Sequence, residues 1–322
     1  MIVRWGLDAL AGACGAAGVS DAIVVASARW DGLELRPGRG DRWREVPSDR
    51  IEEVVAHAAG ADGVLAVGGG SAIDLGKAVS AALAVPLVSV PTTYSGAEWT
   101  SYFGVRSPER LMRGGGAGAR PTVIVYEPEL TLALPRETTV GTALNALAHC
   151  AEALYAQGHN PEADEHALTG ASLISEWLPR VVGLPRDLEG RTRLLRGACH
   201  AGSALAGSML ALAHAMAQAV GGRYGLPHGT VNGICLPPVL RFNAAYAPSA
   251  MRRFGEAIGA DDPALRVEEL ARLGDADRLR DLGVPERDLP EIAAAAAERG
   301  GNRANPHPAT PAEIEQLLRQ VW

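Results

Sequence analysis

The sequence predicts an α/β domain followed by an all-α domain, on three observations. Short apolar runs alternate with helical patterns over roughly the first 133 residues, the pattern of a parallel sheet covered by helices. A glycine turn, Gly68-Gly69-Gly70-Ser71, joins one such run to the helix after it. Beyond Pro135 apolar residues recur only at helical spacing, and no strand is expected. The expected domains are residues 1–135 and 136–322, with the boundary inside the segment ALPRETT.

The elements follow in order. Residues 21–27 form a short apolar strand. Residues 48–59 (SDRIEEVVAHAA) read as a helix capped by Ser48. Residues 63–67 are a buried strand, the glycine turn follows, and 72–83 is a helix. Residues 86–90 and 122–126 are further strands, and the glycine-rich stretch 114–118 reads as a mobile loop. In the second half, Thr138 or Thr139 caps a helix running to about Gln157. Further helices are expected over 162–178, 189–220, 229–243, 249–258, 265–273, 289–298 and 311–321.

Composition narrows the function. The chain has 322 residues, is 47% hydrophobic and carries a formal charge of -7. No basic stripe is visible, so nucleic acid is not an expected partner. The apolar runs are too short for a membrane span, and no signal-peptide pattern opens the chain. Cys14, Cys150, Cys199 and Cys235 have no metal or redox spacing, so free thiols in a reducing compartment, the cytoplasm, are expected.

Two clusters carry chemistry. After a strand, three glycines let backbone approach a ligand, and the next helix offers free N–H groups to a phosphate. The hydroxyls of Thr92, Thr93, Tyr94 and Ser95 follow the next strand, at the edge where α/β sheets bind ligands. Asp74 and Lys77, one turn apart, read either as a surface ion pair or as a buried polar network. In the second half, Asn145 and His149 share a helix face. His214 and His228 lie further on, with Gln218 one turn after His214. Three imidazoles suit a divalent metal, but Asn145 places a neutral amide where a carboxylate would complete the set.

GGGSAIDLGKA, PTTYSGAEWT, LNALAHCAEALYA and LPHGTVNGICLP together resemble the iron-containing alcohol dehydrogenase superfamily, and within it the maleylacetate reductases. The resemblance covers nearly the whole chain. It implies a dehydroquinate synthase-like fold, an N-terminal nucleotide-binding domain plus an all-helical domain that holds substrate. It also implies an NAD(P)H-dependent reductase of a small oxo acid or aldehyde that forms a homodimer. Metal-dependent members use Asp, His, His and His, matching Asn145, His149, His214 and His228 here. With Asn in first place, as in maleylacetate reductases, the chain is expected to work without metal. If one is bound, iron or zinc would sit on His149, His214 and His228.

The resemblance assigns cofactor contacts to Gly69, Gly70, Ser71, Asp74, Thr92, Thr93 and Leu132. Catalysis is expected from His228 as general acid, with His214 and Tyr94. Substrate contacts are expected from Asn145, His149 and Gln218. A dianionic substrate would also need arginines or backbone N–H groups. Gln218 replaces a histidine usual in the superfamily and cannot shuttle a proton, so maleylacetate itself is expected to be a poor substrate. Gly229 follows His228 where the reductases more often have alanine. Residues 27–47 replace the usual helix and second strand near the ribose. NADH is expected over NADPH, with Arg36, Arg39, Arg42 and Arg44 all in that segment. The alternatives are a metal-dependent alcohol dehydrogenase, lyase chemistry, or a degenerate member with a non-reductase role.

Overall fold

Alternation along the apolar runs builds the first of two units. The computed structural model describes residues 1–109 and 111–322. It separates into Met1–Thr131 and Leu132–Trp322. In the first unit, β1 (Ile2–Trp5), α1 (Leu10–Ala16), β2 (Ala22–Val25), β3 (Gly38–Trp43), α2 (Ile51–His57) and β4 (Gly63–Gly68) come in order. They are followed by α3 (Gly70–Leu83), β5 (Leu87–Pro91), β6 (Tyr102–Arg106), β7 (Met112–Ala117) and β8 (Val123–Tyr126). Six strands make one parallel sheet in the order β1-β8-β5-β4-β2-β3. Successive residues point to opposite faces. Val24, Leu65, Val67, Val88 and Val90 therefore pack with Leu10, Ala13 and Cys14 of α1. Ile23, Val25, Val64 and Ala66 pack with Val54 of α2 and with Leu75 and Val79 of α3.

Gly76 lets α3 close on this sheet. A Cβ there would lie 2.7 Å from Ala66 Cβ.

Three features of this unit differ from expectation. Helix α2 starts at Ile51 with no side-chain cap, where Ser48 was the expected cap. A strand, β3, lies inside the segment 27–47 that was expected to have lost one. Its sequence, GRGDRW, has no apolar run to reveal it, because an edge strand can be polar. The stretch 114–118, expected as a mobile loop, falls largely in β7, paired antiparallel with β6. A Cβ on Gly115 would sit 2.6 Å from the Phe103 carbonyl oxygen, and one on Gly118 2.8 Å from that of Lys77. The glycines are there for close approach.

Lys77 fixes that hairpin. It is fully buried, and Nζ donates to the Tyr102 carbonyl at 2.6 Å, Asp74 Oδ1 at 3.1 Å and Thr100 Oγ1 at 3.2 Å. Asp74 Oδ2 accepts the Gly104 N–H at 3.1 Å. The pair is thus a polar network anchored on a buried lysine, with Asp74 half-buried, and not a surface ion pair.

The second unit contains α4 (Arg136–Ala153), α5 (Pro161–Gly183), α6 (Leu188–Gly207), α7 (Leu212–Tyr224) and α8 (His228–Asn243). α9 (Pro248–Ile258), α10 (Pro263–Ala271), α11 (Leu289–Ala297), α12 (Gly300–Ala304) and α13 (Pro311–Gln320) complete it. No strand occurs among its described residues. The single helix expected over 189–220 is two helices, α6 and α7, bent by 102°. Distant side chains satisfy the backbone groups freed at the break. Asn160 Nδ2 donates to the Gly207 carbonyl at 2.7 Å, and Glu152 Oε2 accepts the Ala211 N–H at 2.7 Å. No single helix is long and apolar enough to cross a membrane.

Candidate active site

The first unit offers a ligand backbone more than side chains. Gly68 has φ 151°, and a Cβ there would meet Ala72 Cβ at 2.8 Å. A Cβ on Gly69 would lie 3.0 Å from Thr93 Cγ2. The Thr92 N–H donates to the Gly68 carbonyl at 3.0 Å, which ties the hydroxyl loop to the glycine turn. No side chain caps α3, and while the Ala72 N–H donates to the Gly69 carbonyl at 3.0 Å, the Gly70 and Ser71 N–H groups have no acceptor among the described residues at this positive helix end. Thr93 Oγ1 is buried without a hydrogen-bond partner among the described residues. A bare glycine cradle, uncapped N–H groups and an orphaned hydroxyl fit the pyrophosphate of a dinucleotide.

The other residues named for this region are placed unevenly. Ser71 lies in the first turn of α3, half-buried. The Asp74 carboxylate is taken by Lys77 and Gly104. Tyr94 is fully enclosed. Leu132 opens the second unit, half-buried.

The second unit brings Asn145, His149, His214 and His228 together. Close crossing of α4 and α8 does much of this. A Cβ on Gly229 would lie 2.3 Å from the Gly141 carbonyl oxygen, so alanine at 229 would force the helices apart. The His149 and His214 rings stack at 4.8 Å, and the His214 and His228 centroids are 5.7 Å apart.

Amides then engage the imidazoles. Asn145 Nδ2 lies 3.3 Å from His149 Nε2. Asn232 Nδ2 donates to Asn145 Oδ1 at 2.6 Å and lies 3.1 Å from His228 Nε2. Reversing both amides would reverse each bond and still leave both Nε2 atoms engaged.

His214 is held differently. Its Nδ1 lies 2.6 Å from Glu152 Oε2, and its backbone N–H donates to Glu152 Oε1 at 3.1 Å. Glu152 is fully buried. It therefore serves at once as the cap of α7 and as the orienter of the imidazole. With the Nδ1 proton directed at the carboxylate, proton exchange is confined to Nε2. That atom has no hydrogen-bond partner among the described residues. Burial, and then the neighbouring His214 and His228, hold the His149 pKa well below the usual imidazole value.

The donor set does not fit a divalent metal as arranged. His149 Nε2 and His228 Nε2 are in amide hydrogen bonds, and Asn145 supplies no carboxylate. Among the described residues, no group of three or more His, Cys, Asp or Glu is placed to hold a metal ion.

Comparison with known proteins identifies the scaffold. Residues 37–128 match the model of the iron-containing alcohol dehydrogenases, and residues 139–322 that of the C-terminal region of the Fe-containing alcohol dehydrogenase family. The chain belongs to the iron-containing alcohol dehydrogenase family. This family member is 38% identical over 280 residues to a maleylacetate reductase of Pseudomonas knackmussii, covering 86% of this chain and 79% of the relative. A maleylacetate reductase of Sphingobium indicum is 37% identical over 268 residues, 83% of this chain and 76% of that one. Among solved structures, a maleylacetate reductase from a Rhizobium species superposes with TM-score 0.88 at 30% identity, covering 100% of this chain and 95% of the other. An iron-containing alcohol dehydrogenase from Corynebacterium glutamicum gives TM-score 0.87 at 30% identity, with coverage of 100% and 94%. The family is one of NAD(P)-dependent oxidoreductases, and this chain is an enzyme of that kind.

Three residues of this unit escaped the sequence reading. Glu152 carried a signal: it is three positions from His149, on the same face of an alanine-rich helix. Asn232, four after His228, carried a weaker one. Arg299 carried none. It donates to Gln218 Oε1 at 3.3 Å and to the Gln218 carbonyl at 3.4 Å from 81 positions away.

Proposed function

We propose that this enzyme reduces a small oxo acid or related carbonyl compound with NAD(P)H and without a metal. The observation that carries the reading is the amide chain Asn145–Asn232, which engages His149 and His228, beside the His214 ring that the Glu152 carboxylate backs. The glycine turn, Ser71, Thr92 and Thr93 hold the cofactor. When bound, the nicotinamide supplies the hydride. His214 gives the substrate oxygen its proton from Nε2, and Glu152 keeps the ring in the orientation that allows it. This moves the general-acid role from His228, whose Nε2 faces Asn232, to His214. Neutral His149 and Asn145 form a polar wall for the substrate.

NADH is the favoured cofactor. A 2′-phosphate needs an available basic residue. Arg39 is bidentate with Asp21, Arg44 pairs with Asp31, and Arg42 donates to the carbonyls of Trp30 and Leu33. Of these four arginines, Arg36 is exposed and has no such partner among the described residues. The reading includes a cytoplasmic homodimer, which light scattering of the pure protein checks for its oligomeric state.

The test is turnover of a panel of small oxo acids and aldehydes. NADH oxidation is expected to survive chelation, with maleylacetate slow in the panel because of Gln218, and His214→Ala should cut kcat by roughly 100- to 10,000-fold. Stoichiometric iron or zinc whose removal abolishes turnover defeats the metal-free reading. A flat fluorescence titration with both NADH and NADPH defeats the reductase reading altogether.

A further inference from the structure

Most arginines of the second unit meet a carboxylate. Arg223 pairs with Glu291, Arg241 with Glu268, Arg253 with Asp164 and Arg319 with Glu286. Arg299 does not. It is half-buried, and its only hydrogen bonds among the described residues are the two long ones to Gln218. Its Nε is enclosed with no partner among the described residues. A guanidinium is a planar fork built to grip a carboxylate with two parallel bonds. Leaving one partly desolvated and without an anion is costly, and an anionic ligand relieves that cost.

Its place gives the anion a meaning. Gln218 lies four residues after His214 on α7, so the two share a helix face about one turn, ~5.4 Å, apart. Arg299 grips both the side-chain and main-chain oxygens of Gln218, which fixes it beside that face. We propose that Arg299, held by Gln218, binds the carboxylate of the substrate whose carbonyl oxygen takes its proton from His214. The inference rests on the reductase reading above and narrows it. The substrate is a short-chain acid with its carbonyl a few carbons from the carboxylate, not a plain alcohol or aldehyde. The glutamine is explained as well. Its amide oxygen accepts from the guanidinium without adding charge, whereas an imidazole at 218 that gained a proton would repel it.

Burial lowers the pKa of Arg299 from the usual guanidinium value, in keeping with a desolvated cation awaiting a counter-ion.

Two experiments test this separately from the reductase reading. The first uses succinate as an inert probe, titrated calorimetrically into the whole protein. Arg299→Gln should weaken succinate binding about tenfold or more, and Arg299→Lys, which keeps the charge, should restore part of it. Failure of the unmodified protein to bind succinate, or equal binding by Arg299→Gln, overturns the proposal. The second compares succinic semialdehyde with butanal, using NADH. Arg299→Gln should cut the preference for the semialdehyde, as a ratio of kcat/KM, about tenfold or more. The change should fall mainly on KM. An unchanged ratio overturns the proposal. If no carbonyl compound is reduced at all, the reductase reading fails while the succinate titration still judges Arg299.

Discussion

The two units make polar ligand surfaces by opposite means. In the first, the groups are backbone: Gly68, Gly69 and the open start of α3, contiguous in the chain. In the second they are side chains gathered from α4, α7 and α8, with Asn145, Glu152, His214 and Asn232 joined in hydrogen bonds that span up to 87 positions. A backbone cradle depends on what is missing from a few neighbouring residues. A side-chain network depends on donors and acceptors matching across the fold, and each member is fixed by another. The first should fail by steric filling, the second by loss of orientation.

Next to loss of the His214 ring itself, the largest break should come from Glu152→Gln. The amide keeps the volume but replaces a carboxylate that accepts from the Ala211 N–H, the His214 N–H and His214 Nδ1. Its NH2 group cannot accept, so one of these donors loses its partner, and the His214 ring is no longer held in one tautomer. We expect kcat to fall about 10- to 100-fold, with NADH affinity unchanged because the glycine turn is untouched. Steady-state kinetics beside a fluorescence titration of NADH separates the two. A loss of NADH affinity as large as the loss in kcat would erase the distinction drawn between the units.

The same contrast explains what could be read from the chain. The glycine turn, the strands around it and the parallel sheet were legible because each depends on local periodicity. The family-bearing histidines were legible as a set, 149, 214 and 228, from motif and spacing. Their chemistry was not. That His214 Nε2 has no hydrogen-bond partner among the described residues, while His149 Nε2 meets Asn145, follows from Asn232 reaching Asn145 and from Glu152 reaching across the break between α6 and α7. That break has no proline, and its capping groups come from residues 152 and 160. The edge strand β3 and the glycine strand β7 stayed hidden for another reason. Exposed strands carry no apolar alternation, so periodicity has nothing to detect.

A smaller effect should follow from filling the backbone cradle. Gly69 has φ -80°, open to any residue, so its value is space. A Cβ there would already lie 3.0 Å from Thr93 Cγ2, and the branched methyls of Gly69→Val would enter the space we propose for the phosphates. NADH affinity should fall about tenfold, while the protein keeps its fold and still binds succinate. Undiminished NADH binding by Gly69→Val would mean that the turn is only a tight connection.

The smallest effect sharpens the comparison between the units' buried acids. Glu152 spends both oxygens on three donors. Glu98, equally enclosed, accepts from Tyr126 Oη at 2.7 Å through Oε1, while Oε2 has no partner among the described residues. Desolvation raises its pKa above the ordinary carboxylate value of 4.5, against smaller lowering by its own backbone N–H, Tyr126 and Lys77. The folded protein therefore holds this proton more tightly than the unfolded chain. The associated stability is complete below about pH 4.5 and is lost as pH rises through the folded value. Glu98→Gln keeps the acceptor for Tyr126 and removes the ionisation. Its thermal midpoint should exceed that of the unmodified protein by ~2–4 °C at pH 8, and the gain should shrink as pH falls toward 4.5. A midpoint that drops at pH 8 would show that the charged carboxylate is needed there, and that Glu98 resembles Glu152 after all.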